Sequence, residues 1–317
     1  MSKRKPLHVI ATAQRKGGPG KTTLTKTLAE YLVLEKRKKV LLLDFDSQCN
    51  LSHLYLDMEV TPDGGVRPPV HPDYDPNDPD DAQWSGRSSS ADMFWGEPAM
   101  AYPVVAPAGA ESLEIMPGDS RRLTRVEEQE HTALRDRVIE QARGLISTYI
   151  ENTPSEDRYD VILIDTSPSA SPLTRAAVRA ATHLLIPVEL EEQCVEGMLE
   201  MLGLWREENR RRPSADPLEI LAIQPNRVKM QRLLHQSFLE NLKTNRASAP
   251  YLSGVLIPDN AAFAERDVPG SHPRSVFQLA PSNKARRIAT QFGQFIYERL
   301  YPEEAGEPNL EEVANGD

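Results

Sequence analysis

Arg15-Lys16-Gly17-Gly18-Pro19-Gly20-Lys21-Thr22-Thr23 stands between an apolar run at residues 7–13 and a segment of helical periodicity at 24–34. Strand, glycine-rich loop and helix in that order read as a phosphate-binding loop. Small residues at 17, 18 and 20 let backbone N–H groups turn toward an anion, and a helix opening at Lys21 adds its positive end. Lys21 is then set to reach β- and γ-phosphates, and the Thr22 hydroxyl to hold Mg2+. The usual pattern G-x-x-x-x-G-K-[ST] asks for glycine where this chain has Arg15. In its place the loop carries a second lysine, Lys16. A glycine-rich turn with incidental lysines is the plain alternative, and it leaves the strand, loop and helix order unexplained.

Working outward, residues 7–13 read as a buried parallel strand. The helix after the loop carries Leu24, Leu28, Tyr31, Leu32 and Leu34 on an inward stripe. It ends in Glu35-Lys36-Arg37-Lys38-Lys39, cations that suit a solvated helix C-terminus. Val40–Phe45 is a second buried strand, closing in Asp44-Phe45-Asp46-Ser47-Gln48-Cys49-Asn50. Carboxylates two residues apart on an extended chain face one way, at the strand edge where α/β sheets place ligands. Asp46 is thereby a candidate for orienting water or reaching Mg2+ through water.

The 317 residues suffice for one large α/β domain or two small ones, and 39% hydrophobic content fills a core. No apolar run reaches the roughly 18 residues of a membrane span, and residues 1–6 lead directly into a strand, so a cytoplasmic, soluble chain is expected. Cys49 and Cys194 have no metal or disulfide spacing. A net charge of −10 argues against coating nucleic acid over the whole surface and leaves room for a local basic patch.

K-G-G-P-G-K-T-T followed by L-L-L-D-F-D-S-Q-C-N-L-S resembles the deviant Walker A ATPases of the ParA/MinD group, most closely the ParA-type partitioning ATPases with D-x-D-P-Q-x-N after the second strand. Ser47 stands where proline is usual. The resemblance implies that Lys16 reaches across an ATP-sandwiched homodimer to the partner's phosphates. It also places Asp46 as the hydrolysis-promoting aspartate, with Asp44 beside it.

Tyr159-Asp160-Val161-Ile162-Leu163-Ile164-Asp165-Thr166-Ser167-Pro168 has Walker B form, four aliphatics ending in a carboxylate. Asp165 is set to hold Mg2+ through its water shell, with Thr166-Ser167-Pro168 as a second switch. A strand is also expected at Leu113-Glu114-Ile115-Met116-Pro117-Gly118, an amphipathic helix at roughly 127–150, a strand at His183–Val188 and a helix through Val195, Met198, Leu199, Leu202 and Trp205. That helix ends in Arg210-Arg211-Arg212, a cap or a small anion patch. A strand at 218–224 precedes Asn226, which the resemblance makes the adenine-reading residue. Gly254-Val255-Leu256-Ile257-Pro258-Asp259-Asn260 is similar to the family's last strand and the loop that packs on the base, placing Pro258 at the nucleotide.

Many ParA-type proteins follow this proline with arginine for nonspecific DNA binding, whereas Asp259 follows it here. Arg266, Arg274, Lys284, Arg286 and Arg287 are the remaining basic candidates, and solvated helix surface is an equal reading for them. A final helix at 283–301 leads into an acidic tail, 303–317, which disfavours membrane targeting. Residues 60–90, crowded with Pro, Asp, Gly and Ser, read as a mobile acidic insertion with little to bury.

The expectation is one doubly wound α/β domain over 1–302, mainly parallel, binding ATP and Mg2+ through residues 16–23, Asp46, Asp165, Asn226 and Pro258. It acts as an ATPase switch: the ATP homodimer binds DNA nonspecifically and a ParB-like or other adaptor stimulates hydrolysis. Three other readings remain at this point. One is a positioning ATPase working on a protein scaffold, one a membrane-surface ATPase, and one a metabolic enzyme such as an amidoligase or nitrogenase-reductase relative.

Overall fold

The computed structural model describes residues 7–304 except 82–83, 98, 129–131, 155 and 269–273. The tail expectation therefore lies almost wholly outside the described residues.

Among the described residues, nine strands run in chain order: β1 His8–Thr12, β2 Val40–Phe45, β3 Glu59–Val60, β4 Val66–Arg67, β5 Tyr102–Pro103, β6 Leu113–Met116, β7 Val161–Thr166, β8 His183–Val188 and β9 Glu219–Pro225. Seven form one sheet in the order β5-β6-β2-β7-β1-β8-β9, parallel throughout except for β5 at one edge. The other two, β3 and β4, make a separate antiparallel hairpin. This is the doubly wound, mainly parallel α/β sheet expected from the alternation of buried strands and helices.

The helices are α1 Lys21–Leu34, α2 Asn50–Tyr55, α3 Asp92–Trp95, α4 Ser120–Glu127, α5 Thr132–Asn152, α6 Pro172–Ala180, α7 Glu192–Arg211, α8 Leu233–Thr244, α9 Ala261–Arg266 and α10 Lys284–Leu300. Successive strand residues point to opposite faces. On β1 and β2, Val9, Ala11, Leu41 and Leu43 join the core under α5, α6 and α7. Ile10, Val40 and Leu42 join the core under α1 and α10. Both faces of these strands are covered, which is why their sequences are continuously apolar rather than alternating.

Several expectations change on contact with the fold. The helix anticipated at roughly 127–150 is α5, which begins at Thr132, and a separate helix, α4, ends at Glu127 before it. Residues 254–260 form no strand of the large sheet; Val228 and Pro258 make an isolated parallel bridge. Of the cations after α1, Arg37 and Lys39 are exposed, as a solvated cap requires, but Lys38 is not. Lys38 is buried, its Nζ 2.8 Å from a Glu304 carboxylate oxygen and 4.1 Å from the Tyr301 ring centroid. Arg212 likewise is no free anion patch: it is buried, donating to Glu208 at 2.9 Å and to the carbonyls of Val178 and Arg179.

Residues 60–90 bury more than their composition implied. His71 lies inside, packed against Tyr102 and Trp84 at centroid distances of 4.5 and 5.4 Å, and Ser88, Ser89 and Ser90 are buried where the segment meets β2 and β6. The compensation for few aliphatics is aromatic contact and polar groups paired with backbone: the Tyr102 hydroxyl accepts from the Ser88 amide and donates to the Pro69 carbonyl.

Helices α1 and α10 meet at closest approach where Gly293 faces Tyr31; a Cβ at 293 would lie 2.2 Å from the Tyr31 ring. Overpacking there has no flexible side chain to absorb it. Gly293→Ala is expected to lower the unfolding free energy by roughly 1–3 kcal/mol in urea denaturation, and an unchanged midpoint would show that the α1–α10 contact is looser than described.

Candidate active site

Strand β7 lies between β1 and β2, so three strand ends open side by side. Thr12 of β1 and Asp44 of β2 both register with Asp165 of β7. The glycine-rich loop leaves β1, the Asp46 loop leaves β2, and the loop starting at Ser167 leaves β7, all at the carboxyl edge where such sheets take ligands.

The loop's backbone follows from its residues. Gly18 and Gly20 have φ of 98° and 81°, left-handed values that glycine adopts without strain. Gly20 faces Asn226 so closely that a Cβ would sit 2.3 Å from its Nδ2. At the loop's start, Gln14 donates from Nε2 to the carbonyls of Pro187 and Cys194 at 3.1 and 3.0 Å and accepts from the Arg15 amide at 2.7 Å. At its end, Asn226 donates to the Pro19 carbonyl at 2.7 Å, and the exposed Arg227 to the Gly18 carbonyl at 3.2 Å. Gln14, a polar residue directly after the apolar run, was the visible signal of an anchor that sequence reading passed over.

Lys21, first residue of α1, is 7% exposed. Burial lowers its pKa, opposed by the charges of Asp165 and Asp46. The Thr22 hydroxyl donates to Asp165 at 2.6 Å, and Asp165, fully buried, is pushed up to about 8, first by desolvation and then by Asp44. Asp46 is also buried, its carboxylate accepting from the Gln48 amide at 3.0 Å. Lys21, Thr22, Asp46 and Asp165 are thus gathered around one strand edge. Asp44 is not free to join them: its carboxylate accepts from the Ser52 amide at 2.9 Å, the Ser52 hydroxyl at 2.6 Å and the Asp46 amide at 3.1 Å, and burial raises it to about 6.

Thr23 is turned to Asp267, which also faces Lys26 at 3.9 Å. Thr22, Asn50, His53, Leu54 and Asp267 line a cleft of about 370 Å3 beside the start of α1. Lys16 is half-buried, its stem so near the first turns of α7 that a Cβ at Gly197 would stand 3.1 Å from it. Pro258 is half-buried, bridged to Val228. Asp259 pairs with Lys229 at 2.9 Å and faces Arg227 at 3.7 Å. Among the other basic candidates, Arg286 donates to the Leu279 carbonyl at 2.7 Å, while Lys284 and Arg287 are exposed.

The donors gathered here, the Thr22 hydroxyl and the carboxyl groups of Asp46 and Asp165, are hard oxygen ligands of the kind Mg2+ takes. The residues present fit the ion.

Residues 10–273 match the CobQ/CobB/MinD/ParA nucleotide-binding domain. The chain belongs to that family. It is 29% identical over 287 residues to a ParA family protein of Chlamydia trachomatis, covering 88% of this chain and 93% of the relative. It is 27% identical over 294 residues to the chromosome-partitioning ATPase Soj of Thermus thermophilus, covering 92% and 96%. Among solved structures, an ATP complex of a Cyanothece McdA variant superposes with a TM-score of 0.68 at 18% identity over 93% of this chain and 96% of the other. Cobyrinic acid a,c-diamide synthase of Mycobacterium smegmatis superposes at 0.61 and 17% over 95% and 97%. At such identities the likeness is one of fold.

A carboxyl group that folding holds protonated stabilises the folded chain at low pH, and the benefit is lost as pH rises through its folded pKa. Asp165, near 3.8 unfolded and about 8 folded, loses it between those values. In nucleotide-free protein, Asp165→Asn is therefore expected to gain stability relative to the parent by up to roughly 1 kcal/mol per pH unit from pH 5 to 8. A pH-independent difference in urea denaturation would contradict the assignment.

Proposed function

We propose that this chain is an Mg2+-dependent ATPase switch that partitions or positions DNA or another large cargo. The observation that carries this reading is Lys21, buried at the first turn of α1 beside the carboxylates of Asp46 and Asp165. A cation held out of water at the first turn of a helix that follows a glycine-rich loop is a site prepared for phosphate charge.

The loop residues Gly17, Gly18, Pro19 and Gly20 bind phosphate through backbone, with Lys21 at the β- and γ-phosphates and Thr23 next along the helix. Thr22, Asp46 and Asp165 hold Mg2+, which supplies neutralisation of the phosphate oxygens. Asp46 orients the attacking water. Asn226 and Pro258 border the base, Asn226 from a position where it already fastens the loop through the Pro19 carbonyl. Lys16 serves the facing subunit: ATP closes two copies, each Lys16 neutralising phosphate charge opposite, and hydrolysis stimulated by an adaptor protein releases them. The names of relatives, a ParA family protein and Soj, support partitioning, and McdA supports the same class of switch.

DNA is the proposed surface for the ATP dimer, through Lys284, Arg287 and neighbouring cations. One observation favours a protein scaffold as the second reading: Asp259 occupies Lys229 and faces Arg227, drawing off two cations near the loop.

Lys16→Ala is expected to keep ATP binding and lose ATP-dependent dimers in sedimentation velocity; a variant that dimerises normally removes Lys16 from the interface. Asp46→Ala should accumulate a long-lived ATP dimer. Titrated with nonspecific duplex across a salt series, that variant should bind only with ATP and weaken steeply as salt rises. A demonstrated dimer without binding at low salt would select the scaffold reading.

A further inference from the structure

Glu127, the last residue of α4, reaches both acidic loops of the site. One carboxylate oxygen accepts from the Ser47 hydroxyl at 3.0 Å and the other from the Ser167 hydroxyl at 3.0 Å. Ser47 follows Asp46 directly, and Ser167 lies two residues beyond Asp165. Their strands are neighbours, with Phe45 in register with Thr166, so the loops leave the sheet in parallel and nothing in strand pairing fixes their separation beyond that point. A single carboxylate bonded to both does fix it.

The helix bearing Glu127 is itself held. Asp119 caps its start, accepting from the Arg122 amide at 2.9 Å, while Leu123 and Val126 are buried in the core. Ser167 is buried and Ser47 half-buried, so the bridge is partly shielded from water, where hydrogen bonds to a charged acceptor are worth most. Ser47 also stands where the resembled pattern has proline, a residue with no hydroxyl to donate. The departure from the pattern is what supplies one arm of the bridge.

We infer that Glu127 is a positioning residue for the ATPase reaction, a clamp that holds the Asp46 loop and the Ser167 loop at the separation hydrolysis requires. This rests on the ATPase reading above and adds to it a residue on α4, outside the phosphate-binding and metal-binding motifs. Through it, displacement of α4 moves both loops together, giving a partner bound on that helix a route to the turnover rate.

The test compares Glu127→Ala, Glu127→Gln, Ser47→Pro and Ser47→Ala with the parent in ATP turnover and in amide hydrogen exchange. Glu127→Ala should lower kcat about tenfold with KM for ATP within about threefold, because displaced loops affect the reacting geometry more than ground-state binding. Amides at 46–49 and 167–170 should exchange faster, while those of the β2 and β7 interiors should not change. Glu127→Gln, which keeps an acceptor oxygen, should recover most of the rate. Ser47→Pro, which removes the hydroxyl, should lower kcat in the same direction as Glu127→Ala. Ser47→Ala should have no further effect once Glu127 is alanine. Unchanged exchange at both loops overturns the clamp, as does unchanged kcat in Glu127→Ala when the parent hydrolyses ATP. A parent without ATPase activity would count against the proposed function instead, and the exchange data would then decide the clamp alone.

Discussion

The site depends on the burial of one ammonium group. Lys21 gives up most of its hydration at the first turn of α1, a cost that folding tolerates only because Asp165 and Asp46 stand near it. Three buried carboxyl groups, Asp44, Asp46 and Asp165, surround the one lysine, and Asp165 and Asp44 are raised first by desolvation and then by the neighbouring carboxylates. On the proposed reading, a phosphate would supply an anion to Lys21 and a divalent ion a cation to the carboxylates.

The sheet order makes this cluster possible. Because the late strand β7 inserts between β1 and β2, Asp165 arrives beside loops encoded more than a hundred residues earlier. The loop is then tied down from outside by Gln14 to the β8 and α7 ends and by Asn226 from the end of β9. Five strand ends, those of β1, β2, β7, β8 and β9, thus meet around one lysine. The ends of β8 and β9 are joined to the glycine-rich loop by side-chain hydrogen bonds from Gln14 and Asn226.

Local structure was legible in the sequence. The glycine-rich loop, Val40–Phe45 with its closing carboxylates, and the apolar run ending in Asp165 each state their structure within ten residues, since glycine φ values and strand burial follow from short-range pattern. What escaped were contacts joining distant segments. Glu127 with Ser47 and Ser167, Lys38 with Glu304, and Asp267 with Thr23 involve ordinary charged residues whose roles come from partners 40 to more than 200 positions away. Within residues 60–90, composition pointed to the exposed stretch at 75–80 and not to His71 or the three serines at 88–90, which are buried through aromatic edges and paired polar groups. That the Asp44 carboxylate is engaged by Ser52 and the Asp46 amide was not visible in the sequence.

The account stands most directly on Lys21 as the phosphate ligand. Equilibrium titration of Mg2+ and a fluorescent ATP analogue into the parent and Lys21→Ala measures that role alone. Loss of at least about tenfold in affinity, with the variant folded by circular dichroism, is the predicted result. Equal affinity in the two proteins would mean that the buried lysine serves the fold rather than the nucleotide, and the switch built upon it would fall.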